Sequence, residues 1–239
     1  MNKITICLAY YLNPGMLAAQ YANLASLPAE LKAHLRLIVV DDGSPHDPAT
    51  PPAADIGVPV EIFRVMVDVR WNQDAARNIA AHEAPEGWLL LTDIDHVPPE
   101  RTLRYIIRAR LSLLNVYRFA RVSAPDMTPY KPHPNSWLIT RDMYWTAGGY
   151  EERTAGFYGT DGPWRDQVKA AVEWANGLVV VLKDPLIRYP REVIADASTT
   201  TYERKTDADR ANIGRIRAEI AESGDLKPHV LTFPWERVA

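Results

Sequence analysis

Two aspartates, Asp93 and Asp95, follow the apolar run 88–92. The run reads as a buried strand, and burying carboxylates at its end is costly unless they bind something. Ile94 separates the two acids, so an extended chain directs both carboxylates to the same side, as oxygen ligands of a hard cation require. The pattern therefore indicates Mg²⁺ or Mn²⁺ carrying a phosphorylated substrate. Since Asp-x-Asp is short and Pro98 and Pro99 follow it, an ordinary turn is the alternative interpretation.

The overall composition is that of an ordinary globular protein. The chain has 239 residues, of which 47% are hydrophobic and 24% charged, with a formal net charge of −3. This charge disfavours a surface that coats nucleic acid or binds polyanions broadly. The single cysteine, Cys7, cannot form an internal disulfide and is expected in the core. No run approaches the apolar length needed to cross a bilayer, so we expect a cytoplasmic protein.

Strand and helix patterns alternate through the first half of the chain. Such alternation predicts an α/β fold, a Rossmann-like three-layer sandwich with a mainly parallel central sheet. Ligand-binding loops of such sheets gather at the carboxyl ends of the strands. The predicted strands are 4–9, 35–40, 58–67 and 88–92, and the predicted helices are 16–27 and 72–84.

The second half is less regular. A proline-rich stretch, 125–134, is unlike a helix and is a candidate substrate loop that contains Lys131 and His133. Its composition equally fits a surface connection. The remaining predicted elements are helices at 102–114, 163–174 and 208–223 and strands at 116–122, 136–140 and 178–182.

Four motifs fall at or near predicted strand ends and together resemble the inverting glycosyltransferases of family 2, which have the GT-A fold. The resemblance extends from about Ile4 to Val181. It implies one GT-A domain over 1–239, with a nucleotide-sugar-binding half (1–98), an acceptor-binding half (99–198) and a C-terminal helical tail (199–239). The motifs are Ala9-Tyr10-Tyr11, Val39-Val40-Asp41-Asp42-Gly43-Ser44, Asn72-Gln73-Asp74-Ala75-Ala76-Arg77-Asn78 and Asp93-Ile94-Asp95.

The resemblance implies roles for the acids on the donor side. Asp42 matches the acid that holds the nucleobase of the donor, usually uracil, and a carboxylate is a suitable acceptor for an imide N–H. Asp93 matches the acid that contacts the ribose. Asp95 matches the acid that reaches a Mn²⁺ or Mg²⁺ ion, with Asp93 beside it as the second member of the metal pair.

Three further residues are expected to bind the donor. Tyr11 is suited to stack on the base, and Ala9 lies at the end of the first strand. Arg77 occupies the place of a cation near the diphosphate, whose oxygens a guanidinium binds bidentately. A pairing or capping role on a helix surface is the alternative for Arg77.

The segment 156–165 resembles the family segment in which an acid lies beside the acceptor at the start of a helix. Asp161 is the expected catalytic base. The family usually has Glu-Asp there, so Thr160 is a departure that leaves Asp161 as the single acid of the pair. Because Pro163 suits a first helical turn, an N-cap is the alternative role for Asp161. The aromatic residues expected to contact the acceptor are Trp137, Tyr158 and Trp164.

A second departure concerns the metal. Some relatives supply a late histidine from an Ile-Arg-His-like segment, where this chain has Tyr189. Metal binding is therefore expected to be weak without nucleotide. His96 adjoins Asp95, but neighbouring side chains of a strand point to opposite faces, so His96 is not expected to bind the metal.

The expected reaction is transfer of a sugar from a nucleotide-diphosphate donor, favoured to be a UDP-sugar, to an acceptor hydroxyl with inversion. A saccharide acceptor is favoured, and a modified nucleobase or a protein stays open. Two alternatives remain. A sugar-phosphate nucleotidyltransferase shares the sheet and the acid pair, although the segment 10–15 lacks its glycine-rich basic loop. A catalytically inactive nucleotide-sugar-binding module is the other.

Overall fold

Strands and helices alternate through the first half of the chain, as the sequence predicts. A computed structural model describes residues 1–199, 204–223 and 228–239. The elements of this half are β1 (Ile4–Tyr10), α1 (Pro14–Ala25), α2 (Ala29–Lys32), β2 (Leu35–Asp41), β3 (Val60–Val65), α3 (Gln73–Glu83) and β4 (Trp88–Asp93). Helix α1 begins at Pro14, whose fixed φ suits the first helical position.

The second half contains shorter elements. They are β5 (His96–Val97), α4 (Glu100–Arg108), β6 (Val116–Ser123), β7 (Thr128–Tyr130), β8 (Trp137–Thr140), α5 (Arg141–Thr146), a 3₁₀ turn (Glu152–Thr154), α6 (Asp161–Trp174), β9 (Val179–Arg188), α7 (Asp207–Ser223) and β10 (Trp235–Arg237). Helix α4 corresponds to the helix predicted at 102–114. The prediction that it continues to Leu114 is wrong, because the backbone of Ala109 is already extended. Leu113 and Leu114 are exposed, so their helical spacing does not reflect packing.

The strands form one twisted sheet in the order β10-β3-β2-β1-β4-β8-β6-β9-β5, and β7 pairs with β6. Strands β3, β2, β1 and β4 run parallel. Beyond β4 the direction changes, because β8 is antiparallel to β4 and β6 is antiparallel to β8. The predicted mainly parallel central sheet is confirmed, and antiparallel strands extend it on both sides.

Two hydrophobic clusters cover the two faces of the sheet. Along β1, Ile4, Ile6 and Leu8 belong to one cluster and Cys7 to the other, as side-chain alternation in a strand requires. Cys7 is 1% exposed and burial raises the pKa of its thiol, which confirms it as a core residue. With helices on both faces, the carboxyl ends of the parallel strands are left as the place where loops meet.

The C-terminal residues return to the sheet. Helix α7 matches the predicted tail helix, but the tail is not helical throughout, because β10 pairs antiparallel with β3. Glu152 fixes the segment that leads to β10, since the N–H groups of Leu231 and Thr232 donate to its carboxylate at 2.7 and 2.6 Å. Among the described helices, none combines the length and the apolarity that a bilayer crossing requires.

Candidate active site

The carboxyl ends of β1, β2 and β4 bring the sequence motifs together. Ala9 is the register partner of Asp93 across β1 and β4, and Tyr10 is the partner of Asp41 across β1 and β2. Asp42 follows directly, and its N–H donates to Tyr10 O at 2.8 Å. Three of the four motifs therefore meet through neighbouring strands.

Asp42 is a buried carboxylate with one oxygen available. Its Oδ2 accepts from the N–H of Asn72 at 3.2 Å, while Oδ1 is buried without a hydrogen-bond partner among the described residues. Burial raises the pKa of Asp42 well above its usual range. Such an unpaired acceptor is costly unless a ligand donates to it. The side-chain nitrogen and oxygen of Asn72 are also buried without a hydrogen-bond partner among the described residues.

The neighbouring Asp41 has a structural role in the loop after β2. Its two oxygens accept from the backbone N–H groups of Ser44 and Ala49 at 2.8 and 2.9 Å. These bonds fix the loop after β2, and with it the direction of Asp42. Tyr11 lies half-buried on the same side of the site, and its hydroxyl donates to Asp68 at 3.1 Å.

Arg77 and Asp93 form a buried ion pair, with Arg77 Nη2 bonded to Asp93 Oδ1. The Arg77 side chain is 1% exposed, lies 5.0 Å from the Tyr150 ring and donates to Gln73 at 3.1 Å. The guanidinium of Arg77 is therefore buried and bonded to Asp93, and its contact with a donor diphosphate stays a prediction. His133 Nε2 lies 3.2 Å from the other Asp93 oxygen. Burial alone raises the pKa of Asp93, but His133 and Arg77 reverse this and hold it below its usual range.

Asp95 lies in a turn rather than in a strand. The chain turns at Ile94 and Asp95, and the extended geometry expected for the acid pair is therefore wrong. The expectation that His96 points away from Asp95 is wrong for the same reason, since His96 Nδ1 lies 2.6 Å from Asp95 Oδ1. Burial lowers the pKa of His96. Its Nε2 lies 2.9 Å from Arg121 Nη1, and its ring is 4.2 Å from that of His133.

The second oxygen of Asp95 is the group that suits a metal ion. Asp95 Oδ2 lies 4.0 Å from Arg188 Nε, beyond hydrogen-bond distance, whereas the two Asp93 oxygens lie close to Arg77 and His133. Tyr189 donates its backbone N–H to Asp95 O at 2.8 Å. Across residues 1–199, 204–223 and 228–239, no group of three or more His, Cys, Asp or Glu side chains is arranged to hold an ion. A hard ion would therefore take Asp95 and fill its remaining positions with phosphate oxygens and water.

Asp161 is the first residue of α6, and Thr160 occupies the N-cap position. The capping alternative for Asp161 is therefore wrong. The surroundings of Asp161 combine burial, which raises its pKa, with the opposing charge of Arg77 and a hydrogen bond from Asn135. The charge of Asp93 raises that pKa further. The candidate base thus lies within electrostatic reach of the Arg77–Asp93 pair.

The aromatic residues predicted for the acceptor divide into two kinds. Trp137 and Trp164 are each 1% exposed and belong to the core, where Trp164 stacks on Tyr150 at 4.3 Å. Their predicted acceptor contacts do not fit this structure, because both side chains are almost fully buried. Tyr158 is half-buried and packs edge-on against Trp71, with ring centroids 4.8 Å apart. A tryptophan at 71 adjoins the Asn72 motif, which is the signal that could have singled it out.

Two further contributions were absent from the predicted site. His133 had been noted in the proline-rich loop, but its contact with Asp93 depends on how that loop folds. Arg121 reaches His96 from β6, and Tyr130 lies against Arg121 with the guanidinium carbon 4.5 Å from the ring centroid. No local sequence pattern connects these residues, because they come from β5, β6, β7 and the loop between β7 and β8.

Comparison with solved structures shows that this architecture is the GT-A fold of glycosyltransferases. The structure of S. aureus TarS residues 1–349 with UDP-GlcNAc matches with a TM-score of 0.65 and 14% sequence identity, over 91% of this chain and 66% of that one. The chain spans at most about two thirds of the TarS chains that it matches, at 66%, 63% and 43%.

Two other glycosyltransferase structures match with similar scores. The catalytic domain of Drosophila beta1,4-galactosyltransferase 7, in complex with xylobiose, gives a TM-score of 0.56 at 12% identity, over 89% of this chain and 80% of that one. GalNAc-T7 with UDP, GalNAc and Mn²⁺ gives 0.59 at 10% identity, over 91% and 48%. No protein-family profile and no curated protein sequence matches this chain.

Proposed function

We propose that this protein is an inverting, family 2-like glycosyltransferase that moves a sugar from a nucleotide-diphosphate donor, with UDP favoured, to an acceptor hydroxyl. One observation carries the proposal: Asp42, Asp93 and Asp95 gather at the carboxyl ends of parallel strands in a GT-A fold, and Asp161, at the start of α6, interacts electrostatically with Asp93 and Arg77. We further propose a single domain with a donor half (1–98), an acceptor half (99–198) and a tail (199–239).

The donor half supplies distinct contacts for base, ribose and phosphate. Asp42 Oδ1, buried and unpaired among the described residues, is suited to accept the imide N–H of uracil. Tyr11 provides a ring beside it, and Ala9 leaves space next to Asp93 for the ribose. Arg77 acts indirectly by fixing Asp93.

A divalent ion, Mn²⁺ or Mg²⁺, would be held by Asp95 with Asp93 nearby, and would neutralise charge on the diphosphate when bound. His133 Nε2 lies 3.2 Å from Asp93 Oδ2, and Arg188 Nε lies 4.0 Å from Asp95 Oδ2. The guanidinium of Arg188 and an N–H of His133 are suited to stabilise the negative charge that develops on the leaving diphosphate.

Asp161 supplies the base. Its carboxylate takes the proton of the acceptor hydroxyl, while the acceptor oxygen forms a bond to the anomeric carbon of the donor sugar. The bond from that carbon to the phosphate oxygen breaks, and the nucleoside diphosphate leaves with the electron pair. Attack from the face opposite the diphosphate inverts the configuration. Tyr158, with Trp71, offers the acceptor an aromatic contact next to this carboxylate.

The ligands of the neighbouring structures support the substrate class. TarS is described with UDP-GlcNAc and GalNAc-T7 with UDP, GalNAc and Mn²⁺. Drosophila beta1,4-galactosyltransferase 7 is described with xylobiose, a saccharide. We therefore favour a UDP-sugar donor and a saccharide acceptor for this chain.

The experiment is a panel of nucleotide sugars assayed by thermal shift and by release of nucleoside diphosphate, with and without Mn²⁺. We expect a UDP-sugar to raise the melting temperature and to be turned over. Release of pyrophosphate from a nucleoside triphosphate and a sugar phosphate would instead identify a nucleotidyltransferase. Binding without turnover, across the donor and acceptor panels, would identify an inactive module.

Asp161→Asn tests the assigned base within the same panel. Removing a general base lowers turnover by about 10²–10⁴-fold, whereas binding of UDP should stay as in the wild type. Asp166→Asn is the matched control, because Asp166 is an exposed acid of the same helix. Transfer that survives Asp161→Asn would show that another group is the base.

A further inference from the structure

Both ends of the loop 155–159 bond to one carboxylate, that of Asp74. Thr154 Oγ1 donates to Asp74 Oδ2 at 2.8 Å, and Thr160 Oγ1 donates to Asp74 Oδ1 at 3.2 Å. Asp74 is 0% exposed, and Thr154 and Thr160 are buried with it. Because the two threonines flank the loop, this single carboxylate sets the distance between the loop ends.

Asp74 also connects the loop to the donor side of the site. It lies in the first turn of α3, and its Oδ1 is 3.8 Å from Nη1 of Arg77, one turn further along. Arg77 in turn binds Asp93 at the end of β4. Helix α3 packs against β1 and β2, so the carboxylate is fixed to the central sheet.

The loop itself has few other anchors. Arg70 donates to Gly156 O at 2.8 Å, and the N–H of Tyr158 donates to Asp209 at 2.9 Å. Gly156 and Gly159 have φ of 90° and 113°, a region where residues with side chains are strained. Asp74 therefore holds both ends of this loop, and the contacts of Gly156 and Tyr158 hold its middle.

We propose that Asp74 is a positioning residue which, through the hydroxyl of Thr160, holds the start of α6 and thereby the carboxylate of Asp161 in its working place. This inference rests on the proposed function for the role of Asp161. It explains the departure at residue 160, since a threonine hydroxyl donates to Asp74 where a glutamate would repel it. Asp74 is fully buried and does not touch substrate.

Misplacing a catalytic group by about 1 Å costs on the order of 10²-fold in rate, so a lost tether at Thr160 should be visible in kcat. Thr160→Val keeps the shape of the side chain and removes the hydroxyl. Thr160→Ser keeps the hydroxyl. The serine variant should therefore retain most of the wild-type rate, while the valine variant should not.

The test combines kinetics with crystal structures of the full chain. For Thr160→Val we expect kcat to fall by roughly 10- to 100-fold with UDP affinity unchanged, and the Asp161 carboxylate to be displaced. Asp74→Asn should also lower kcat, because it weakens the same contact with Thr160. Combining it with Thr160→Val should therefore lower kcat by less than the product of the two single effects. Thr50→Val, at an exposed threonine in the loop after β2, is the control.

The proposal would be overturned by an unmoved Asp161 carboxylate in Thr160→Val, or by a kcat equal to that of the wild type. A parallel loss of UDP affinity would also overturn it, since it would assign the tether to the donor site. If the Asp161 carboxylate moves but the wild type transfers no sugar from any donor, the positioning role stands and the proposed function fails. The two failures are thus distinguishable.

Discussion

The guanidinium of Arg77 is bonded to the carboxylate of Asp93, and this pair joins α3 to the end of β4. Arg77 is 1% exposed and Asp93 29%. Two nitrogens of Arg77, Nε and Nη1, are buried without hydrogen-bond partners among the described residues. The charge is thus retained at a cost in desolvation, which the opposing carboxylates of Asp93 and Asp74 offset.

Arg77→Met should lower the free energy of unfolding by about 3 kcal/mol, because it leaves the fully buried Asp74 and the partly buried Asp93 without their cation. Urea unfolding followed by circular dichroism measures the change. The control is Arg104→Met, which breaks surface ion pairs with Glu100 and Glu30 and should cost less than about 1 kcal/mol. Equal effects of the two substitutions would contradict a structural role for the buried pair.

Asp42→Asn should weaken UDP binding by about 1–3 kcal/mol, because an amide nitrogen replaces one of the acceptor oxygens in the buried site. The same substitution should reduce the preference for UDP over CDP, since the ring nitrogen of cytosine at that edge is an acceptor. Calorimetric titration with both nucleotides measures this. Asp55→Asn, an exposed acid, is the control. An unchanged ratio of the UDP and CDP affinities would show that Asp42 does not contact the nucleobase.

Asp95→Ala should abolish the increase in UDP affinity that Mn²⁺ is expected to produce in the wild type. The reason is that Asp95 Oδ2 lies 4.0 Å from Arg188 Nε, beyond hydrogen-bond distance, so this oxygen is available to bind an ion. The comparison is a UDP titration with Mn²⁺ and with a chelator. Asp207→Ala, at a side chain 98% exposed, serves as control. If the variant responds to Mn²⁺ as the wild type does, the ion binds elsewhere.

Asp74 should make folding stability depend on pH. Burial raises its pKa from 3.8 to about 7 in the folded protein, although Arg77 and the hydroxyl of Thr154 oppose this and Asp161 adds to it. The folded state therefore binds more protons than the unfolded state between these values, and the contribution of Asp74 to stability is lost as the pH rises through about 7.

Asp74→Asn removes this proton binding. The free energy of unfolding of the variant should fall less between about pH 4 and about pH 7 than that of the wild type. Urea unfolding across this interval, compared with Asp55→Asn, measures the difference. Parallel curves for wild type and Asp74→Asn would show that Asp74 keeps an ordinary pKa.

The strands of the parallel core could be predicted because their signal is local. Continuous apolar runs ending in polar turns mark strands buried on both faces, and β1, β2 and β4 fall within one residue of the predicted limits. The helix predicted at 102–114 failed beyond Arg108, where exposed leucines mimic a packed face. Strand β10 could not be predicted, because a short edge strand is defined by its partner β3 rather than by its own residues.

The amino-acid sequence by itself determined which acids stand at the ends of strands, since hydrophobic periodicity fixes where each strand stops and strand direction fixes where those ends meet. Only the tertiary structure decided what each acid contacts. Asp93 pairs with Arg77 and His133, Asp95 turns toward His96, and Trp137 and Trp164 face the core. These outcomes depend on how turns and loops distant in sequence pack together, and no local pattern of residues encodes that packing.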